Sequence, residues 1–440
     1  MRVLFTTFAA RTHVHSQVPL AWALRAAGHD VRVATQPDAV EHVLRAGLHA
    51  VPVGAPLNQD EFVRELDERR SEALEAGREV PEALDHLELT DISEVRPERL
   101  TYELMHGRQL ALATGAFPTQ CDPEMIDDLV RYARWWRPDL VVWDTMTFAG
   151  PVAAMASGAA HARLLFGLDL IGFLRHHYNR ALQRRIPALR DDPMAEWLGW
   201  TLQEYGCGFA EEAVVGQWTI DPVPSSLALP TGLLRVPMRY VPYNGPAVLP
   251  DWVLEQPRRP RVCVTLGLSL LETLGRDRVS VAEVLKAVAS LDVEVVATVG
   301  AARRGGLGAL PARVRVVDFV PLDALLPSCA AVVHHGGAGT FQSALAHGVP
   351  QVILPDVLWD SARRAEGLER AGAGFRVADP ARLTAVGLRD LVGRVLDDPA
   401  PTRHARRLRR EAGTAPAPAD AVPVLEQLTS QHLPATRSGA

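Results

Sequence analysis

Lysine is almost missing from this 440-residue chain: Lys286 stands alone against 45 arginines. With one lysine and no glycine-rich run before it, the G-x-x-x-x-G-K-[ST] route to phosphate binding is closed. An arginine-heavy composition rich in Ala, Gly and Pro fits the codon bias of a high-GC genome, so most arginines read as surface charge. The net charge is −6, and no basic footprint marks a nucleic-acid binder. Cysteine is scarce: Cys121, Cys207, Cys263 and Cys329 lie far apart without a C-x-x-C pair. That excludes a zinc ribbon and a disulfide scaffold and leads us to expect a reducing, cytoplasmic setting. No two aspartates are spaced D-x-D, the usual device for recruiting a divalent ion to a diphosphate. His176-His177 and His334-His335 are adjacent pairs whose rings point apart, so we expect no metal. Long apolar runs are missing as well. The stretch Leu140–Leu174 is interrupted by Asp144, His161, Arg163 and Asp169, which excludes stable membrane insertion. Met1–Phe5 reads as an opening strand, not as a signal peptide.

What is present is alternation. Apolar runs at Val3–Phe8, Val31–Thr35, Leu140–Trp143 and Ala162–Phe166 predict strands in the first half. Val262–Leu266, Val293–Val299, Val314–Val320, Ala331–Val333 and Gln351–Leu354 do so in the second. Ala/Leu-rich stretches such as Pro19–Ala27 and Thr340–His347 predict helices between them. The pattern is α/β, with two doubly wound parallel sheets. Nine prolines between Pro222 and Pro260 predict an interdomain linker, and residues from Thr429 on a loose tail. Residues 60–98 carry 14 acids against 5 arginines, a local balance of −9. They fit amphipathic helices that roof a ligand cavity, meet a partner or simply face solvent.

Ligands of doubly wound sheets bind beyond the carboxyl ends of the strands, and two such sheets facing each other would share one cleft. Val332–Thr340 reads as strand, glycine turn and helix. Gly336, Gly337, Ala338 and Gly339 let the backbone approach a diphosphate at a helix N-terminus, with His335 and Thr340 as side-chain donors. A plain βα turn that needs glycine for packing is the competing reading. The first βα loop holds no glycine, and the second strand ends at Thr35-Gln36 without a ribose-binding acid, which speaks against a nicotinamide dehydrogenase. His13 in that first loop is placed as a general base, and Asp144 at the end of another strand would orient it. Trp359, Asp360 and Ser361 follow a second-half strand, where Asp360 would either receive sugar hydroxyls or cap a helix. Ser269 offers a donor to phosphate, and Val320 a wall for a nucleotide base.

These residues resemble the GT-B-fold glycosyltransferases of family 1. The H-x-G-x-G-[TS] element is met by His335, Gly337, Gly339 and Thr340, the base by His13, its partner by Asp144 and the donor-sugar acid by Asp360. Val18–Trp22, Gly216–Pro222, Tyr243–Pro246 and His334–Gly337 resemble the actinomycete subgroup that moves TDP-deoxysugars, often aminosugars, onto polyketides, with desosaminyl and rhodosaminyl transferases as examples. The resemblance implies two facing Rossmann-like domains with an interdomain cleft. It places an acceptor-binding domain over residues 1–221, the linker over 222–260, a nucleotide-sugar-binding domain over 261–428 and a tail over 429–440. It implies an inverting, metal-independent enzyme of antibiotic biosynthesis, acting on macrolide or anthracycline aglycones, with the TDP-sugar as co-substrate and no cofactor. It further implies an activator protein resembling a cytochrome P450 on the first domain, and allows a homodimer. Thr12 and Ser16 depart from the family's Gly before the base and Pro after it. Asp360-Ser361 replaces Asp-Gln, which suits a deoxysugar with fewer hydroxyls. A UDP-glucose-dependent macrolide-inactivating enzyme, a nucleotide-sugar epimerase and a non-catalytic sugar-nucleotide-binding partner are the alternatives.

Overall fold

The computed structural model describes residues 1–58, 89–266, 279–300, 304–356 and 359–433. Two parallel sheets organise them. The first has the order β3-β2-β1-β4-β5-β6-β7. Its strands are β1 (Arg2–Thr6), β2 (Asp30–Thr35), β3 (His49–Pro52), β4 (Leu140–Asp144), β5 (Ala160–Leu164), β6 (Trp218–Asp221) and β7 (Arg235–Pro237). The second has the order β10-β9-β8-β11-β12-β13. It is built from β8 (Arg261–Thr265), β9 (Glu294–Thr298), β10 (Val314–Val317), β11 (Cys329–His334), β12 (Gln351–Ile353) and β13 (Gly374–Arg376).

The near-continuous apolar runs exist because both faces of each sheet are covered. Leu4, Val141 and Trp143 enter one core of the first sheet, while Val3, Phe5, Leu140 and Val142 enter the core on the opposite face. In the second sheet Val262, Val264 and Val333 face one core, and Cys263, Val296 and Val332 the other. Because each sheet is parallel, the loops that follow its strands lie along one edge, and the described candidate site residues lie at or after those strand ends.

Three expectations change. The first helix spans Arg11–Ala26, so His13 sits in its opening turn and not in a loop. Pro19 lies inside this helix and removes one backbone donor, yet Val14, Gln17, Val18, Leu20, Ala21 and Leu24 still form one buried face. The proline-dense segment is not all linker, because β7 lies within it and pairs with β6. Thr429 does not open a loose tail but lies inside a helix. A helix at Pro418–His432 buries Ala421, Val422, Leu425 and Thr429 and packs on the Arg11–Ala26 helix, β5 and β7. The C-terminal helix thus belongs to the core of the first sheet. Residues 60–88 of the acidic stretch lie outside the described residues.

Candidate active site

β1 and β4 are adjacent, with Thr6 in register with Trp143. The residues that follow them are therefore neighbours. His13 Nδ1 lies 2.7 Å from Asp144 Oδ2. The Asp144 side chain is 1% exposed and that of His13 14%. The other carboxylate oxygen, Oδ1, accepts the Met146 N–H at 2.9 Å, so both oxygens are engaged and the carboxylate cannot turn. Phe8 and Phe166 hold the imidazole from two sides, with ring centroids 4.6 and 4.5 Å away. The Asp144 contact occupies Nδ1 and leaves Nε2 as the nitrogen for other work. Gln36, which stands where a ribose-binding acid would be needed, does something else: its Oε1 accepts the Ala9 N–H at 2.7 Å and anchors the turn before His13.

In the second sheet β11 ends at His334, and a glycine turn leads into the helix Ala338–His347. Gly337 is its N-cap and has no side chain to offer. The first intrahelical bond to it comes from Phe341 N at 2.9 Å. The N–H groups of Ala338, Gly339 and Thr340 therefore point outward from a helix N-terminus, the usual arrangement for receiving an anion. His334, adjacent to the predicted residues, explains how the turn is held. Its Nδ1 accepts the Gly336 N–H at 3.0 Å, so its Nε2 carries the proton and donates to Gln351 Oε1 at 2.8 Å. Burial pushes the His334 pKa down to about 3 and keeps the ring neutral. Gly336 has φ +92°, and a Cβ there would lie 2.2 Å from Ser361 Oγ. Ser361 in turn donates to the His335 carbonyl at 2.9 Å, tying the glycine turn to the loop after β12. His335 Nε2 lies 3.5 Å from Asp356 Oδ2.

Asp360 is fully buried. One oxygen accepts the Leu168 N–H at 2.7 Å, and the other faces Arg364 at 2.8 Å. Leu168 follows β5 of the first sheet, so this bond joins the carboxyl-end loops of the two sheets. Gly167 is required there, since a Cβ would lie 2.4 Å from Asp360 Oδ2. Trp359 has φ +51°, a left-handed conformation that side chains seldom adopt, and its ring lies 6.0 Å from Phe166. Phe8, His13, Phe166 and Trp359 form one aromatic row from the first sheet to the second.

The remaining predicted residues are less central. The Val320 side chain is buried in the core with Cys263, Val296 and Val332, not in a ligand pocket. Its neighbour Phe319 is the exposed group at the end of β10. Ser269 lies outside the described residues. Among the described residues no cluster of three His, Cys, Asp or Glu side chains could hold a metal ion, and no helix is long and apolar enough to cross a membrane.

Residues 22–267 match the family described as erythromycin biosynthesis protein CIII-like, N-terminal domain, and residues 282–428 match its C-terminal domain. The chain is 52% identical to the aclacinomycin-T 2-deoxy-L-fucose transferase of Streptomyces galilaeus, over 98% of this chain and 97% of that protein. It is 49% identical to the 10-deoxymethynolide desosaminyltransferase of Streptomyces venezuelae, over 98% of each. Among solved structures, glycosyltransferase VinC in complex with dTDP superposes with a TM-score of 0.86 at 42% identity, covering 98% of this chain and all of VinC. Matched across both halves in sequence and across both sheets in structure, the chain belongs to the erythromycin biosynthesis protein CIII-like family and is a GT-B-fold glycosyltransferase.

Proposed function

We propose that this enzyme transfers a deoxysugar, in the aminosugar class, from its TDP derivative to a hydroxyl of a polyketide aglycone, inverting the anomeric centre. The observation that carries the reading is the Leu168–Asp360 bond. It ties the loop after β5, in the sheet whose strand ends carry His13 and Asp144, to the loop after β12, in the sheet that carries the helix N-terminus at Ala338–Thr340. In the proposed step His13 Nε2 takes the proton of the acceptor hydroxyl. The oxygen attacks the anomeric carbon, the bond to the diphosphate breaks, and TDP leaves with its charge held by the helix N–H groups and His335. Asp144 fixes the imidazole and stabilises its protonated form. Phe319 supplies a face for the thymine and Trp359 borders the sugar, while Asp360, its oxygens taken by Leu168 N–H and Arg364, holds the loop that carries Trp359. The helix end carries the leaving-group charge without a metal in this reading. A P450-like activator belongs to the same proposal, as does a homodimer. Mass-spectrometric product detection, with TDP- and UDP-sugars offered against macrolactone and anthracycline aglycones and with and without such an activator, tests it. Glucose transfer from UDP-glucose alone, or donor turnover without acceptor, would replace it by the macrolide-inactivating or the epimerase reading.

A further inference from the structure

From residue 159 to 175 every residue is buried except Phe166, which is partly exposed just beyond the end of β5. The loop that presents it is braced on both sides. Arg163, fully buried, donates to the two oxygens of Asp169 at 2.9 and 2.7 Å, to Thr219 Oγ1 at 2.9 Å and to the Val215 carbonyl at 2.7 Å. Asp169 also accepts the Gly172 N–H at 2.8 Å and so caps the helix Leu170–Gln183. Leu165 N donates to the Ile220 carbonyl at 3.0 Å, and Leu168 N to Asp360. A buried ion pair adds little net stability over an apolar replacement, but shifting one partner strands a buried charge, so what it fixes is geometry. Residues 165–169 therefore form a rigid mount from which one ring stands out.

That ring meets the base. Its centroid lies 4.5 Å from that of His13 at an interplanar angle of 64°, and Phe8 supplies the second flanking ring at 4.6 Å and 56°. The Asp144 bond alone leaves the imidazole some freedom, because a hydrogen bond tolerates about 30° of bend. Tilting by that much about Nδ1 carries Nε2 through roughly 1 Å, a displacement that can lower a rate about 10²-fold. Rings in contact with the imidazole remove this freedom. Phe8 is itself a buried residue. Phe166 reaches the cleft, and its place is set by the Arg163–Asp169 brace behind it.

We propose that Phe166 is a positioning residue for the transfer step: its ring, on the mount braced by Arg163 and Asp169, sets the tilt of His13 so that Nε2 meets the acceptor hydroxyl. The inference rests on the base role of His13 stated above. Its test is the single-turnover rate with TDP-desosamine and 10-deoxymethynolide and with TDP-rhodosamine and aklavinone, sugars and acceptors named for two relatives. Both pairs are run with and without the activator, as in the product screen. Phe166→Leu and Phe166→Met keep bulk and lose the flat ring, whereas Phe166→Tyr keeps the ring. The two variants without a ring are expected to lose about 10- to 100-fold in rate, and Phe166→Tyr to retain most of it. The Kd for dTDP and the Tm stay at parent values, since the side chain is partly exposed. In a His13→Ala background Phe166→Leu should change the rate by less than about 2-fold, because a residue that acts only through the base has nothing left to position. A parent-like rate in Phe166→Leu overturns the inference and leaves the base reading intact. So does an equal loss in both backgrounds, which would make the ring a wall for substrate. His13→Ala at the parent rate refutes the base reading, and a parent enzyme that transfers neither sugar refutes the proposed function, each taking the inference with it.

Discussion

Replacing Asp144 by asparagine is a severe test of the His13–Asp144 pair because it preserves shape and hydrogen-bond count. The Met146 N–H requires an acceptor at one oxygen position, 2.9 Å away. The new amide must place its carbonyl there and turn its NH2 toward His13 Nδ1. Nδ1 then becomes an acceptor, and the single proton of the neutral imidazole moves to Nε2, the nitrogen that has to receive the acceptor's proton. The base is disabled by tautomer, and the protonated ring also loses its counter-charge. General-base catalysis contributes roughly 10²–10⁴-fold, so kcat/KM should fall by about that factor, some 2.7–5.5 kcal/mol of barrier. The dTDP affinity should be unchanged, and Tm nearly so because both hydrogen bonds survive. Steady-state kinetics and a dTDP titration on the same preparation provide the assay. His13→Ala should lose a similar factor, and the double variant hardly more, since the two residues act as one unit. If Asp144→Asn retained kcat/KM within about 5-fold of the parent, the tautomer mechanism would be refuted.

Three further outcomes follow from the second sheet. Gly336→Ala forces a Cβ to within 2.2 Å of Ser361 Oγ at φ +92°, so Tm and dTDP affinity should both drop. Handedness costs about 1–2 kcal/mol and overpacking about 1–3, and adding Ser361→Gly should recover only the second part. His334 stays neutral in the fold down to about pH 3, whereas the unfolded chain protonates it below about 6.5. Its contribution to stability is therefore complete at pH 7–8 and declines as pH falls through 6.5, by about 2 kcal/mol at pH 5. Denaturant unfolding at pH 7.5 and 5.0 should show a smaller decline for His334→Gln than for the parent. Asp360→Ala strips Leu168 N–H and the buried Arg364 of their acceptor, and stability should fall by roughly 3–5 kcal/mol, read as a drop in Tm. An unchanged Tm would mean that this contact is not maintained in solution.

Central strands were easy to read in the sequence because burial on both faces makes them apolar throughout. The strands that escaped, β3, β6, β7 and β13, are three or four residues long and lie at or next to a sheet edge. There proline, glycine and charge are tolerated, so the signal fades. His13 and Asp144 stood out because each follows an apolar run, and adjacency of β1 and β4 did the rest. His334–Gln351, Leu168–Asp360 and Gln109–Arg175 are separated by 17, 192 and 66 positions, and each pairing exists only once tertiary packing has formed. The return of Pro418–His432 to the first sheet was hidden for the same reason. Its apolar face fits any core, and only the folded chain decides which.

That return also changes the mechanics of the cleft. A single linker would allow one half to swivel about a tether. Here the polypeptide passes between the halves twice, once after β7 and once at Ala415–Ala417, and the two passages are joined where Arg239 N donates to the Pro416 carbonyl at 2.7 Å. Ser226 adds a second rivet close by, with both its N–H and its hydroxyl on Glu411 at 2.8 Å. Two passages of chain pinned side by side resist twist and sliding of one half against the other more than a single tether would. Leu168–Asp360 adds a further connection between the loops of the two sheets.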